Sequence, residues 1–257
     1  MLTVHPVAAF KDNYIWVIHD RNAAIVIDPG TAFPVIEYLR SKQLQLIAIL
    51  ITHHHHDHTG GVTGLLQFSG VPVYGPRSQN ISAITHSVLE NDEVAFPELS
   101  LTLTVIEVPG HTLDHIAYYA HQPFDMLFCG DTLFACGCGR IFEGTAEQMY
   151  RSLQELSQLP DDTLIYCAHE YTLSNIKFAR AVDPENDTLE AFEMIAKNQR
   201  DHNIPTVPTK LGNEKSMNPF LRCENQEIIA SVQSHRGCLQ PDPLSIFTAL
   251  RNWKNNF

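Results

Sequence analysis

A chain of 257 residues, 44% hydrophobic and 18% charged, has room for one large domain or a domain with an appendage, and its composition is that of an ordinary globular protein. A formal net charge of −12 argues against a nucleic-acid partner, which would need clustered Lys and Arg to neutralise phosphate. No apolar run approaches the roughly 18 residues of a membrane span, and Met1-Leu2-Thr3-Val4-His5-Pro6 lacks the basic and apolar regions of a signal peptide. The expectation is a cytoplasmic protein with no membrane association.

Short β-rich runs open the chain: Leu2 to Ala8, Tyr14 to His19 and Ala23 to Ile27, separated by turn signals at Lys11-Asp12-Asn13 and Asp20-Arg21-Asn22. Asp28-Pro29-Gly30 stops the third. Phe33 to Lys42 is predicted helical, with Pro34 in its first turn and Val35, Ile36 and Leu39 on one face. Leu44 to Ile51 is a near-continuous apolar strand of the kind buried on both faces. A helix over Gly61 to Phe68 and a strand over Val71 to Tyr74 follow. Leu99 to Val108, Ile116 to Ala120 and Met126 to Cys129 read as strands, Thr145 to Leu159 as a helix and Thr163 to Cys167 as a strand. The recurrence of strands, loops and helices suggests two sheets packed together with helices outside, an α/β architecture.

After His169 the character changes. Thr172 to Val182, Thr188 to His202, Gln226 to Gln233 and Pro243 to Lys254 all read as helices, with a Pro-rich break at Ile204 to Pro208. The expected division is a domain over 1–170 and a small helical domain over 171–257. From Lys210 onward the charge is +2, so the preceding residues carry −14. A locally basic tail could serve an anionic small molecule, or be an ordinary solvated helix face. The six cysteines form no C-x-x-C, and Cys136-Gly137-Cys138 reads as small buried or loop thiols.

The apolar strand ending at Ile51 runs directly into Thr52-His53-His54-His55-His56-Asp57-His58-Thr59-Gly60-Gly61, which offers five imidazoles and a carboxylate within six residues. Buried imidazoles need partners, and a divalent cation is one that suits several at once. His53 and His55 leave an extended segment on the same side, whereas His54 and His56 point the other way, exposed or in an outer layer. Three more candidates each close a strand-like run: His111, Asp131 and His169. Together these seven residues are enough for two metals with one shared carboxylate. The alternative for Asp131 is a turn residue capping a strand end. Asp28 is either a turn former or an acceptor orienting a ligand imidazole. His115 and His121 read as structural.

The run Thr52 to Gly61, with Pro109-Gly110-His111-Thr112, Gly130-Asp131-Thr132-Leu133-Phe134 and His169-Glu170-Tyr171 in order, resembles the signature of the metallo-β-lactamase superfamily. The resemblance implies an αβ/βα four-layer sandwich with a dinuclear site at one edge. His53, His55 and His111 would hold one metal, Asp57, His58 and His169 the other, and Asp131 would bridge them. Further blocks resemble the glyoxalase II (hydroxyacylglutathione hydrolase) family within it: Gly139 to Ala146, His169 to Thr172 with Asn175 to Ala179, Asn218 to Arg222, and Arg251-x-x-Lys254.

That family implies hydrolysis of S-(2-hydroxyacyl)glutathione thioesters by a metal-bridging hydroxide positioned by Asp57 and Asp131. S-D-lactoylglutathione would give glutathione and D-lactate, the second step of methylglyoxal detoxification. It implies two divalent ions, Zn²⁺ first and Fe or Mn as alternatives, in a monomer that binds a small glutathione thioester. Arg251 and Lys254 match its carboxylate-binding pair and Tyr171 its tyrosine at the thiol end. Arg140 and Phe142 stand where many members have Lys and Tyr, and Asp114 replaces a more usual glycine. Without the resemblance, Arg251 and Lys254 could be solvated charges on a terminal helix. A mono-iron persulfide dioxygenase-like relative shares the early His pattern, but the extended helical tail and its basic pair argue against it. A non-catalytic scaffold is disfavoured by the complete ligand set.

Overall fold

The computed structural model describes residues 2–237 and 241–257; Met1 and 238–240, and with them Cys238, lie outside the described residues. The chain divides into two compact units, one running through Glu107 and taking in Asp114–Gly130, the other made of Val108–Leu113 and Asp131–Phe257.

In the first unit, β1 (Thr3–Ala9), β2 (Asn13–His19) and β3 (Ala23–Ile27) pair antiparallel. The sheet continues in parallel through β4 (Gln45–Leu50), β5 (Val73–Pro76) and β6 (His86–Val88). Between them run α1 (Phe33–Lys42), the single turn α2 (His56–Thr59) and α3 (Val62–Phe68). Every residue of β2 and β3 is buried, as their unbroken apolar character requires. One face carries Ile15, Val17, Ala24, Val26 and Ile49 into a core with Val35 and Leu39 of α1 and Val62 and Leu65 of α3. An antiparallel meander follows: β7 (Glu93–Phe96), β8 (Leu101–Glu107), β9 (Ile116–Ala120) and β10 (Met126–Gly130). Tyr118 of β9 donates its hydroxyl to the Ile51 carbonyl at 2.9 Å, and Tyr74 of β5 lies edge-on to Phe96 of β7.

In the second unit, the two-residue strands β11 (Leu133–Phe134) and β12 (Gly137–Cys138) form a hairpin. The helix α4 (Ala146–Leu156) starts at a capping box of Thr145 and Gln148. β13 (Leu164–Cys167) pairs with β14 (Thr209–Lys210). The helices are α5 (Thr172–Val182), α6 (Asp187–Asp201), α7 (Leu211–Met217), α8 (Gln226–Arg236) and α9 (Pro243–Asn255). α5 covers the range expected from sequence, and α6, α8 and α9 differ from expectation only at their ends. β6, β7, β11, β12, β14, α2 and α7 were not anticipated. Ile176, Ala179, Leu189, Ala196 and Met217 pack with Cys136 of the hairpin, and the rings of Phe178, Phe220 and Phe247 follow one another at 5.9 Å spacings.

Candidate metal centre

In the first unit, β4 ends two residues before Thr52, and Asp28 turns the chain directly after β3. Asp28 sits at φ +52°, the left-handed region that a short polar residue tolerates best after glycine. It is both things the sequence left open, turn and acceptor. Its Oδ1 accepts from the Thr52 N–H at 2.7 Å, and its Oδ2 from the Thr52 hydroxyl at 2.7 Å and from His58 Nδ1 at 3.0 Å.

These bonds fix the imidazole tautomers. Because His58 Nδ1 carries the proton given to Asp28, Nε2 presents a lone pair, and it faces Asp57 Oδ2 at 3.6 Å. The one hydroxyl proton of Thr52 goes to Asp28, so in the 3.0 Å contact between Thr52 Oγ1 and His53 the donor is His53 Nδ1. His53 Nε2 then lies within hydrogen-bond distance of His55 Nδ1, at 3.1 Å. Asn13 Nδ2 donates to Asp57 Oδ2 at 3.0 Å and holds that carboxylate in place. His56 is exposed, while His54 pairs with Asp114 at 3.1 Å. His115 is buried and stacks on His53 with ring centroids 4.5 Å apart. His121 pairs with Asp125.

The second unit repeats the pattern. Gly130, at φ +48°, turns the chain at the end of β10 into Asp131, and a Cβ there would lie 2.4 Å from Thr52 Oγ1. His111 Nδ1 donates to the Arg140 carbonyl at 2.7 Å, so its Nε2 lone pair faces Asp131 Oδ2 at 3.4 Å. His169 Nε2 faces the other oxygen, Oδ1, at 3.3 Å. One carboxylate thus turns an oxygen to each of two imidazoles, too far for good hydrogen bonds. A lone pair set this close to a carboxylate oxygen, as at His111, is repelled unless positive charge lies between them. The donor set, imidazole and carboxylate without thiolate, suits a hard or borderline divalent cation. The residues fit a metal.

Around these ligands the second unit places exposed rings. Phe142 is 61% exposed and lies edge-on to His111 at 5.2 Å. Tyr171 stacks on His169 at 4.6 Å and an interplanar angle of 5°, with Phe134 edge-on to both. On α9, Lys254 Nζ donates to the Ser174 carbonyl at 3.1 Å and lies over the Phe178 ring. Burial, with Arg251 beside it, pulls Lys254 down to about 8. Arg251 is buried. Its Nε donates to Asn255 Oδ1 at 3.1 Å and its Nη1 to the carbonyls of Cys138 at 2.9 Å and Gly139 at 3.4 Å.

Sequence reasoning missed several residues that arrange these groups. Thr52 stood in the motif but had no role, and Asn13 read only as a turn signal. Glu214 is wholly buried on α7 and accepts from Cys136 N–H, Thr209 Oγ1 and Asn218 Nδ2 at 2.8, 2.9 and 3.1 Å. Burial pushes its carboxyl up to about 7. Nothing local in Leu211 to Met217 signals this, because one partner, Cys136, lies 78 residues away in the chain.

The family described as "Metallo-beta-lactamase superfamily" matches residues 10–169, and "Hydroxyacylglutathione hydrolase C-terminus" matches residues 170–257. A hydroxyacylglutathione hydrolase of Nitrosomonas europaea is 56% identical over 100% of this chain and 97% of its own. One from Vibrio cholerae is 50% identical over 100% of both. Among solved structures, ETHE1 from Myxococcus xanthus is 25% identical with a TM-score of 0.64, covering 99% of this chain and 98% of that one. The BLEG-1 B3 metallo-beta-lactamase, 23% identical with a TM-score of 0.62 over 86% of this chain and 100% of that one, shares the fold. The expected fold class is borne out: the metallo-β-lactamase fold with two mixed sheets and a helical C-terminal region. With full-length relatives at 50 to 56% identity and both family matches in register, the chain belongs to the hydroxyacylglutathione hydrolase family of the metallo-β-lactamase superfamily.

Proposed function

We propose that this enzyme is a thioester hydrolase that converts S-(2-hydroxyacyl)glutathione, S-D-lactoylglutathione above all, to glutathione and the free 2-hydroxy acid. The observation that carries the reading is Asp131, with one carboxylate oxygen turned to His111 and the other to His169. In the ligand assignment we propose, His53, His55 and His111 would hold one divalent ion, Asp57, His58 and His169 the other, and Asp131 would serve both. Zn²⁺ is the first choice and Fe or Mn the alternatives. When bound, such a pair supplies a hydroxide from water at neutral pH and an electrophile for the thioester oxygen.

The chain's own residues do the rest. Asp57, anchored by Asn13, and Asp131 position the nucleophile. Asp28 holds His58 in the tautomer that has its proton on Nδ1 and would let Nε2 ligate, and the Arg140 carbonyl does so for His111. Phe142 and Tyr171, exposed rings against ligand imidazoles, flank the acyl and thiol end. Arg140 provides a cation nearby. Lys254 spends one of three protons on Ser174, and none of the hydrogen bonds among the described residues engages Arg251 Nη2, so each keeps donors for the glycine carboxylate of glutathione. A thiolate leaves readily, so no strong general acid is needed. We assign residues 1–170 to the catalytic domain and 171–257 to the substrate-binding domain of a cytoplasmic monomer.

The test pairs elemental analysis with an assay. Zinc-replete protein should carry two equivalents of metal and hydrolyse S-D-lactoylglutathione. Metal-replete protein without thioesterase activity would overturn the reading.

A further inference from the structure

Arg251 is only 6% exposed and much of its guanidinium is committed inside the protein. Nη1 reaches the Cys138 carbonyl at 2.9 Å, the Gly139 carbonyl at 3.4 Å and the Cys138 thiol at 3.6 Å, and the group lies 5.2 Å over the Phe220 ring. A solvated surface charge makes no such contacts, and a residue devoted only to a substrate carboxylate would not need them.

The peptides it grips lead directly to the metal ligands. Gly139 N–H donates to the Thr132 carbonyl at 3.0 Å. A Cβ on Gly139 would fall 1.9 Å from the Asp131 carbonyl oxygen and 3.3 Å from His111 Nδ1, so the strap is pressed against both ligands. The next carbonyl, that of Arg140, takes the His111 Nδ1 proton at 2.7 Å. Residues 138–140 therefore form a strap, held at one end by α9 and at the other setting the tautomer and aim of His111.

We infer that Arg251 is a positioning residue for the metal centre: its grip on the 138–140 strap orients His111 and Asp131, so the terminal helix controls metal affinity as well as substrate binding. This rests on the proposed metal-dependent thioesterase, and the experiment separates the two. Wild type, Arg251→Lys, Arg251→Ala and Lys254→Ala are stripped of metal and titrated with Zn²⁺ against a chromogenic chelator. Co²⁺ absorption spectra, circular dichroism and steady-state kinetics are recorded on the same samples. Losing the partner that orients a ligand typically weakens a metal site roughly 10–100-fold. Arg251→Lys, which keeps the charge but not the fork, should weaken one Zn²⁺ dissociation constant by about tenfold or more and shift the Co²⁺ spectrum. Arg251→Ala should do so more strongly. Lys254→Ala should raise KM with both dissociation constants unchanged.

If folded Arg251 variants raise KM while binding both ions as wild type does, Arg251 is a substrate clamp alone and the inference falls. It falls too if neither Arg251 variant folds, because the residue would then be one the fold itself requires. A wild type that binds two ions without thioesterase activity would instead remove the functional reading and leave this one standing.

Discussion

At the residue scale the most consequential side chain is one that ligates nothing in the proposed centre. Asp28 accepts three hydrogen bonds from Thr52 and His58, and all three depend on its having two unprotonated oxygens. Asp28→Asn tolerates the left-handed backbone but turns an amide N–H₂ towards Thr52 Oγ1 or His58 Nδ1, donors that now meet a donor. His58 should adopt the opposite tautomer, with its proton on Nε2. The expected result is a fold of near-wild-type stability with Zn²⁺ affinity lowered about 10–100-fold, read by chelator competition. Unchanged affinity would remove Asp28 from the metal site. Glu214 gives a prediction in pH. Its folded pKa is about 7, raised from an ordinary value of 4.5 by burial. The native state therefore binds the proton more tightly than the unfolded chain does. Stability from this group is complete below about 4.5 and is lost as pH rises through 7, by on the order of 3 kcal/mol. Glu214→Gln should lack that loss, so urea unfolding should shift in its favour relative to wild type between pH 5 and 8. A constant difference across that range would contradict the assignment.

At the element scale, the two tasks we propose for the basic pair of α9 should separate in pH. Lys254 is held near 8 by burial and by Arg251 beside it, so its positive charge is present below that pH and lost above it. KM for S-D-lactoylglutathione should rise as pH climbs through about 8. Lys254→Arg, which stays charged, should flatten that rise, and an identical profile would take Lys254 out of the carboxylate site. α9 also marks how far sequence could be read. Its helix was legible from Pro243 at the first turn and from apolar positions at helical spacing, now buried as Ile246, Phe247 and Leu250. β2 to β4 were legible because unbroken apolar runs have few alternatives, and the His53 to His58 cluster because so many imidazoles have few other uses. β11, β12 and β14 were not, since two residues carry no periodicity. α7 was hidden because Leu211-Gly212-Asn213-Glu214 looks like polar loop until Cys136, Thr209 and Asn218 are seen to surround the carboxylate. Arg251 and Lys254 were legible as a pair three apart on one face. The strap that Arg251 holds was not, because backbone carbonyls at 138 and 139 leave no mark in a sequence.

At the scale of the whole molecule, the ligands we propose for the metals are scattered along the chain from His53 to His169. Asp131 presents an oxygen to each of two imidazole nitrogens at 3.3 and 3.4 Å, and Asp57 faces Nε2 of His58 at 3.6 Å. In a chain already at −12, a buried carboxylate such as Asp131 adds repulsion in a poorly screened setting. Divalent cations that bind the folded chain and not the unfolded one stabilise it by mass action, about 4 kcal/mol where free metal stands a thousandfold above its dissociation constant. At roughly 2–4 °C per kcal/mol for a chain of this size, removal should lower the melting temperature on the order of 10 °C. A strong chelator should therefore abolish thioester hydrolysis and shift the whole cooperative transition downward. Restoring Zn²⁺ should recover both, and Asp131→Asn should respond to zinc far less than wild type because its amide can neither bridge nor neutralise two cations. A melting temperature indifferent to chelator and zinc alike would mean that these carboxylates are compensated by protons rather than by metal, and the ligand assignment for the second unit would have to be abandoned.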